Sequence, residues 1–186
     1  LFAHIMCNEL FRRFSVDIRV IPDKMLRAKA QKVKSFTEED RRIVEDMFRL
    51  MKENEVEGVG LAAPQVGISK RFVVIDLDEF HEVLINPKWE PLGEEKEEDI
   101  EGCLSVPGVY GPVERFKKIK VSFTNLYGEK ITLKLDGMLS RVVQHEVDHL
   151  DGVLFIDKIT DWDRIEVMPL ALHYPGVVEL LKEHDR

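Results

Sequence analysis

The segment Gln144-His145-Glu146-Val147-Asp148-His149-Leu150 carries two histidines four positions apart, with a glutamate directly after the first. In a helix, residues four apart stand on one face, so His145 and His149 can reach the same metal ion. Glu146 then lies beside the first ligand, where it can take a proton from water at the ion without ligating it. The chemistry that suits this HExxH spacing is metal-assisted hydrolysis. Met138 and Val142 continue the same stripe upstream and set the site against apolar surface. Two histidines placed by chance are the competing reading. The apolar, well-capped surroundings of the pair argue against it.

Two histidines do not complete such a site, which usually has three protein ligands and a water. A metzincin pattern, HExxHxxGxxH, would place glycine at Gly152 and histidine where Phe155 stands, so it fails. Glu166 would give a thermolysin-like site, although its segment DWDRIEVMP has no strong helical signature. Cys103, in Glu101-Gly102-Cys103-Leu104-Ser105-Val106-Pro107, is the other candidate, because a thiolate suits a borderline divalent metal. Gly102 lets backbone approach closely there, and Pro107 is expected to bend the chain away from a strand. A lone cysteine is more often a small buried hydrophobe, the reading kept for Cys7. The residues alone leave Glu166 and Cys103 open.

The elements that must position these groups are legible in outline. Asp136 is placed to cap a helix from about Gly137 to Asp151, with Gly152 as its terminator. Thr37, followed by Glu38, Glu39 and Asp40, predicts another helix start. Ile43, Val44, Met47, Phe48 and Met51 carry that helix to about Asn54 at helical spacing. Gly58 to Gly67, GVGLAAPQVG, is too glycine-rich to be helical throughout. Arg71 to Leu77 and Glu82 to Pro87 read as short buried strands. Gly93 to Asp99, a charge run, is expected to form a solvated loop. Lys118 to Leu135 reads as a hairpin turning near Tyr127-Gly128. Strands in the middle flanked by helices predict an α+β fold. The expected arrangement is a single domain with antiparallel or mixed sheets packed around a central HExxH-bearing helix.

With 186 residues the chain suffices for one sizeable core, and 44% hydrophobic with 33% charged content is ordinary for a globular protein. A net charge of −8 leaves no general basic field for nucleic acid or anionic lipid. No apolar run approaches the ~18 residues of a membrane span. Two distant cysteines make no disulfide framework and point to a reducing compartment.

Three segments together, GVGLAAPQ (Gly58 to Gln65), EGCLS (Glu101 to Ser105) and QHEVDHL (Gln144 to Leu150), resemble the peptide deformylase family in residues, order and spacing. The resemblance runs from about Ile18, where IRVIPDKMLR looks like the family's opening strand and turn, to about Ile159. The compact spacing is closer to the bacterial and organellar group than to the insertion-bearing group of many Gram-positive bacteria. The resemblance implies a hydrolase that removes the formyl group from the N-terminal formyl-methionine of nascent polypeptides, releasing formate. It makes Cys103, His145 and His149 the metal ligands and Glu146 the general acid/base. Gln65 and the Leu104 N–H become donors to the formyl oxygen. Val59 and Gly60, with Gly102 nearby, present backbone to the substrate peptide. Met138 and Val142 line the methionine pocket. Fe(II) is the metal expected, with nickel, cobalt or zinc as alternatives. Glu101 is a candidate to orient a ligand histidine, and Asp148 and Arg115 are candidates for structural contacts.

On this reading residues 18–160 form the catalytic domain. Residues 1–17 are an N-terminal extension without clear counterpart, and 161–186 a divergent tail. The family's last helix is often basic and implicated in ribosome docking. Here Pro169 and Tyr174-Pro175-Gly176 interrupt any continuous helix. Six acidic residues (Asp161, Asp163, Glu166, Glu179, Glu183, Asp185) face three basic ones (Arg164, Lys182, Arg186), which argues against that docking mode. The expected partners are formyl-methionyl nascent peptides, with no membrane and no direct nucleic-acid role. The compartment expected is the cytoplasm, or an organelle if the first residues are a targeting remnant.

Overall fold

The computed structural model describes residues 16–53 and 58–184. The start of the N-terminal extension, Cys7 and the expected helix end at Asn54 lie outside the described residues. Among the described residues, two antiparallel sheets and three α-helices make up the fold.

The larger sheet has the order β1-β2-β3-β6-β7, formed by β1 (Gly60–Ala62), β2 (Phe72–Leu77), β3 (Phe80–Pro91), β6 (Lys118–Thr124) and β7 (Lys130–Asp136). The smaller has the order β4-β5-β8, formed by β4 (Lys96–Cys103), β5 (Val106–Phe116) and β8 (Glu166–Val167). Strand pairing is antiparallel in both sheets, so the mixed alternative is not the one adopted.

β2 explains the three-layer arrangement. Its run Phe72–Ile75 is fully buried, because both faces are covered. Phe72 and Val74 pack with Ile43, Val44, Met47 and Met51 of α1 (Glu38–Glu53). Val73 and Ile75 pack with Val142, Val143, Val147 and Leu150 of α2 (Gly137–Leu150). A third cluster joins Val106, Val109 and Val113 of β5 to Leu154, Phe155, Ala171 and Val177. The HExxH helix α2 is therefore sandwiched, and even its polar Ser140, Arg141, Gln144, Glu146 and His149 are buried.

Local chemistry sets the helix ends. Thr37 caps α1 in a reciprocal pair: Asp40 N–H donates to the Thr37 hydroxyl at 3.3 Å, and Thr37 N–H to the Asp40 carboxylate at 2.8 Å. Asp136 occupies the N-cap position of α2 but makes no side-chain cap, and instead faces Lys118 at 3.4 Å. Gly152 ends α2 at φ +75°, and a Cβ there would meet the Arg27 carbonyl oxygen at 2.5 Å.

Besides the missing Asp136 cap, three expectations are corrected. The charge run does not stay a loop: Lys96–Asp99 forms the exposed start of β4, paired with Phe116–Val113 of β5. Backbone pairing with β5 makes the strand while its side chains remain solvated. Pro107 does not divert the chain but sits second in β5, where Cys103 pairs with Val106 across a register shift. Pro107 falls within that shift and has no partner on β4, so its missing N–H costs no ladder bond. The stretch around Ile18 is extended but carries no strand; it is tied by Arg19 N–H to Gln65 O at 2.7 Å and Ile21 N–H to Ser105 O at 3.0 Å.

Candidate metal centre

α2 presents His145 and His149 one turn apart, and the turn after β4 brings Cys103 against them. Cys103 Sγ and one ring nitrogen from each histidine lie within 4.8 Å of one another. Sγ is 3.3 Å from His149 Nε2. Among the described residues this is the one group of three such side chains with converging ligand atoms. Cys103, His145 and His149 so placed would hold one divalent ion, leaving room for a water beside it. Glu166 stands apart, exposed on β8 and paired with Tyr110, so the thermolysin-like alternative is set aside. Phe155, at the third-histidine position of the metzincin pattern, instead stacks on the His145 ring with centroids 6.2 Å apart.

The histidines differ in their second nitrogen. His145 Nδ1 contacts Glu101 Oε2 at 2.9 Å, which directs Nε2 toward Cys103. Glu101 is gripped in turn: Arg115 donates to it twice at 2.9 Å, and Arg141 at 2.7 Å. Arg115 also pairs with Asp148 of α2. Arg141 further donates to the carbonyls of Val113 and Glu97. Burial alone would raise the Glu101 carboxyl, but the Arg115 and His145 contacts hold it well below the usual carboxylate range. Arg141 escaped the sequence reading. Its signal was an arginine four positions before His145, on the buried face.

The electrostatics suit a dication. Burial pushes His145 down, yet Cys103 and Glu101 raise it by more, to about 10. The anionic surroundings that favour a proton there favour a divalent cation between the same groups. His149 is pulled well below its ordinary value by burial, then by the charges of His145 and Arg115, and is neutral as a ligand must be. Burial lifts Glu146 to about 7. Among the described residues, Glu146 Oε2 and His149 Nδ1 are the two buried side-chain polar atoms without a hydrogen-bond partner. An unpaired buried polar atom costs about 1–3 kcal/mol. A pair of them beside a Cys/His₂ cluster marks a site shaped for a ligand.

The remaining expected residues gather around one cavity of about 620 Å³, lined by Val59, Gly60, Gln65, Gly102, Cys103, Leu104, Met138, Val142, His145 and Glu146. Gln65 is buried in a 3-10 turn after β1. Its Oε1 accepts from Ala62 N–H at 2.7 Å, which turns Nε2 toward Cys103 Sγ at 3.4 Å and Ser105 Oγ at 3.2 Å. Leu104 lies in the turn between β4 and β5. Gly60 passes so near Glu146 that a Cβ on it would stand 2.6 Å from Oε1.

Residues 15–164 match the family model described as Polypeptide deformylase. The peptide deformylase of Caldicellulosiruptor bescii is 46% identical over 142 residues, covering 76% of this chain and 84% of that protein. The Thermotoga maritima enzyme is 45% identical over 148 residues, covering 80% and 89%. Its crystal structure superposes with a TM-score of 0.75 at 44% identity, over 78% of this chain and 98% of that one. The peptide deformylase from Synechococcus elongatus in complex with actinonin gives a TM-score of 0.77 at 38% identity, over 93% and 87%.

Proposed function

From the premise that the chain belongs to the polypeptide deformylase family, we propose that Cys103, His145 and His149 hold one divalent ion while Glu146 moves the protons. The protein is a metal-dependent hydrolase that deformylates nascent peptides. The observation that carries the assignment of residues is the convergence of the Cys103, His145 and His149 ligand atoms beside the unpaired Glu146 carboxylate oxygen.

A divalent ion held there lowers the pKa of water to roughly 7 and polarises a carbonyl oxygen. The chain's own groups supply the rest. Glu146 accepts a proton from the attacking water and returns it to the departing amine nitrogen, so that formate and a free N-terminus result. Gln65 Nε2 and the Leu104 N–H donate to the formyl oxygen as it becomes anionic; losing one such donor costs on the order of 3 kcal/mol. Val59 and Gly60 offer backbone to the peptide, as an added strand would use it. Gly102 gives close approach opposite them, and Met138 with Val142 receives the methionine side chain. Fe(II) is the ion we favour, with nickel, cobalt and zinc able to substitute at a thiolate and imidazole site. Nascent chains place the enzyme where ribosomes work, in a cytoplasm or an organelle with its own ribosomes. No helix among the described residues is long and apolar enough to cross a membrane.

The direct test is formate release from a short formyl-methionyl peptide by anaerobically prepared protein loaded with Fe(II) or Ni(II). Rapid release is expected. Cys103→Ala should lose both metal and turnover, and metal retained at full stoichiometry would overturn its place as a ligand. Gly60→Ala tests the approach to Glu146. The added Cβ must displace that carboxylate, and kcat should fall about a hundredfold with little change in melting temperature. Unchanged kcat would show that the carboxylate position is not critical.

A further inference from the structure

We propose that the C-terminal segment 168–174 forms a second wall of the substrate cavity, reading an apolar side chain downstream of the substrate methionine through Leu170 and Tyr174. The inference rests on the deformylation reading and extends it to residues beyond the family match, which ends at residue 164.

The same cavity that holds Cys103, His145 and Glu146 is also lined by Leu170 and Tyr174. Its volume of about 620 Å³ falls in the range of roughly 300–1,000 Å³ that takes a whole drug-sized ligand. That is more room than one formyl-methionyl residue fills, and Pro107, Gly108, Ile18 and Val20 line the cavity together with the tail residues. A peptide leaving the ion site along Val59 and Gly60 therefore has its next residues beside an apolar surface.

The wall is built rather than incidental. β8 pairs with Val109 and Tyr110 of β5, and Met168 N–H donates to Gly108 O at 2.7 Å. Ala171 packs on Gly108 so tightly that a Cβ on that glycine would lie 2.6 Å from the Ala171 nitrogen. Ala171 and Val177 are fully buried in the cluster with Val106 and Val109. This anchoring holds the segment rigidly while Leu170 and Tyr174 stay partly open to the cavity. Leu172, between them, points to solvent at 66% exposure. Aliphatic and aromatic surface selects by apolar burial. In an extended peptide alternate side chains face the same way, so one downstream position in two meets the wall.

The test uses Ni(II)-loaded protein and two peptide series, formyl-Met-Ala-X-amide and formyl-Met-Ala-Ala-X-amide, with X as Leu, Phe, Gly or Asp. In one series Leu and Phe should exceed Gly in kcat/KM by about tenfold, carried by KM. That ratio should fall toward one in Leu170→Ala and in Tyr174→Ala, and persist in Leu172→Ala. Leu170→Lys should turn the preference toward Asp at the same position, a gain that a packing defect does not produce. Indifference of the wild type to X in both series, or a Leu-to-Gly ratio unmoved in the Leu170 and Tyr174 variants, overturns the wall and leaves deformylation standing. Absence of formate from every formyl peptide overturns deformylation and the wall with it.

Discussion

Glu146→Gln lowers kcat for formate release by about 10³–10⁴-fold while the protein still holds one metal ion. The substitution keeps the side chain's size and removes the group that accepts and returns the proton. The proposed ligand set of Cys103, His145 and His149 is untouched, so metal content measured by elemental analysis should not change. In the wild type, kcat/KM should fall as pH drops through the Glu146 pKa. Burial lifts that value to about 7 and a neighbouring dication draws it down, so the acid limb lies at or below that pH. A stability change accompanies the loss. A buried carboxyl with a raised pKa stabilises the fold below its unfolded value and loses that contribution as pH rises through the folded one. In metal-free protein at pH 8, Glu146→Gln should therefore melt above the wild type. A variant that remained fully active would remove Glu146 from the mechanism.

The largest loss of stability is expected at Glu101. Its carboxylate is 6% exposed and holds Arg115, Arg141 and His145 together. Glu101→Ala leaves two buried guanidinium groups short of a partner, a defect worth about 3–5 kcal/mol. For a chain of this size that is roughly 6–20 °C in melting temperature. His145 also loses the contact that orients it, so metal affinity should drop about 10–100-fold, measurable by competition with a chelator. The pH dependence has a definite sign. Because Arg115 and His145 depress the Glu101 carboxyl, the stability it contributes is present above the ordinary carboxylate pKa and is lost as pH falls below it. The wild type's melting temperature should decline steeply on acidification from about pH 5, and Glu101→Gln should flatten that decline. Equal melting temperatures for wild type and Glu101→Ala would mean that the arginines find other partners and the cluster is not a keystone.

Much of the site's logic is local and was therefore readable. His145, Glu146 and His149 depend only on helical periodicity, and the buried face of α2 follows from the same count. β2 was visible because a strand covered on both faces must be apolar along its length, as Phe72–Ile75 is. Thr37 and Asp40 announce their helix because a cap acts within four residues.

Other features depend on contacts distant in sequence. Spacing could not choose between Cys103 and Glu166, because both lie outside α2, in strands of one sheet that only the fold brings toward or keeps from the histidines; only the resemblance favoured the cysteine. The polar start of β4 looked like a loop because side-chain pattern reports burial, whereas this strand exists through backbone pairing with β5 and keeps its side chains in water. Arg115 was a candidate for a structural contact without a partner and Arg141 was not singled out; the sandwiching of α2 buries both against Glu101.

Sequence by itself thus determined the reaction class, the HExxH helix and the buried strand β2, since each is written in interactions a few residues long. The tertiary structure alone decided which buried charges brace His145, how near Gly60 stands to Glu146, and that Leu170 and Tyr174 share the cavity with the ligands. Those outcomes come from packing two sheets around one helix, which joins residues as distant as Gly60 and Glu146, 86 positions apart, beyond the reach of any local pattern.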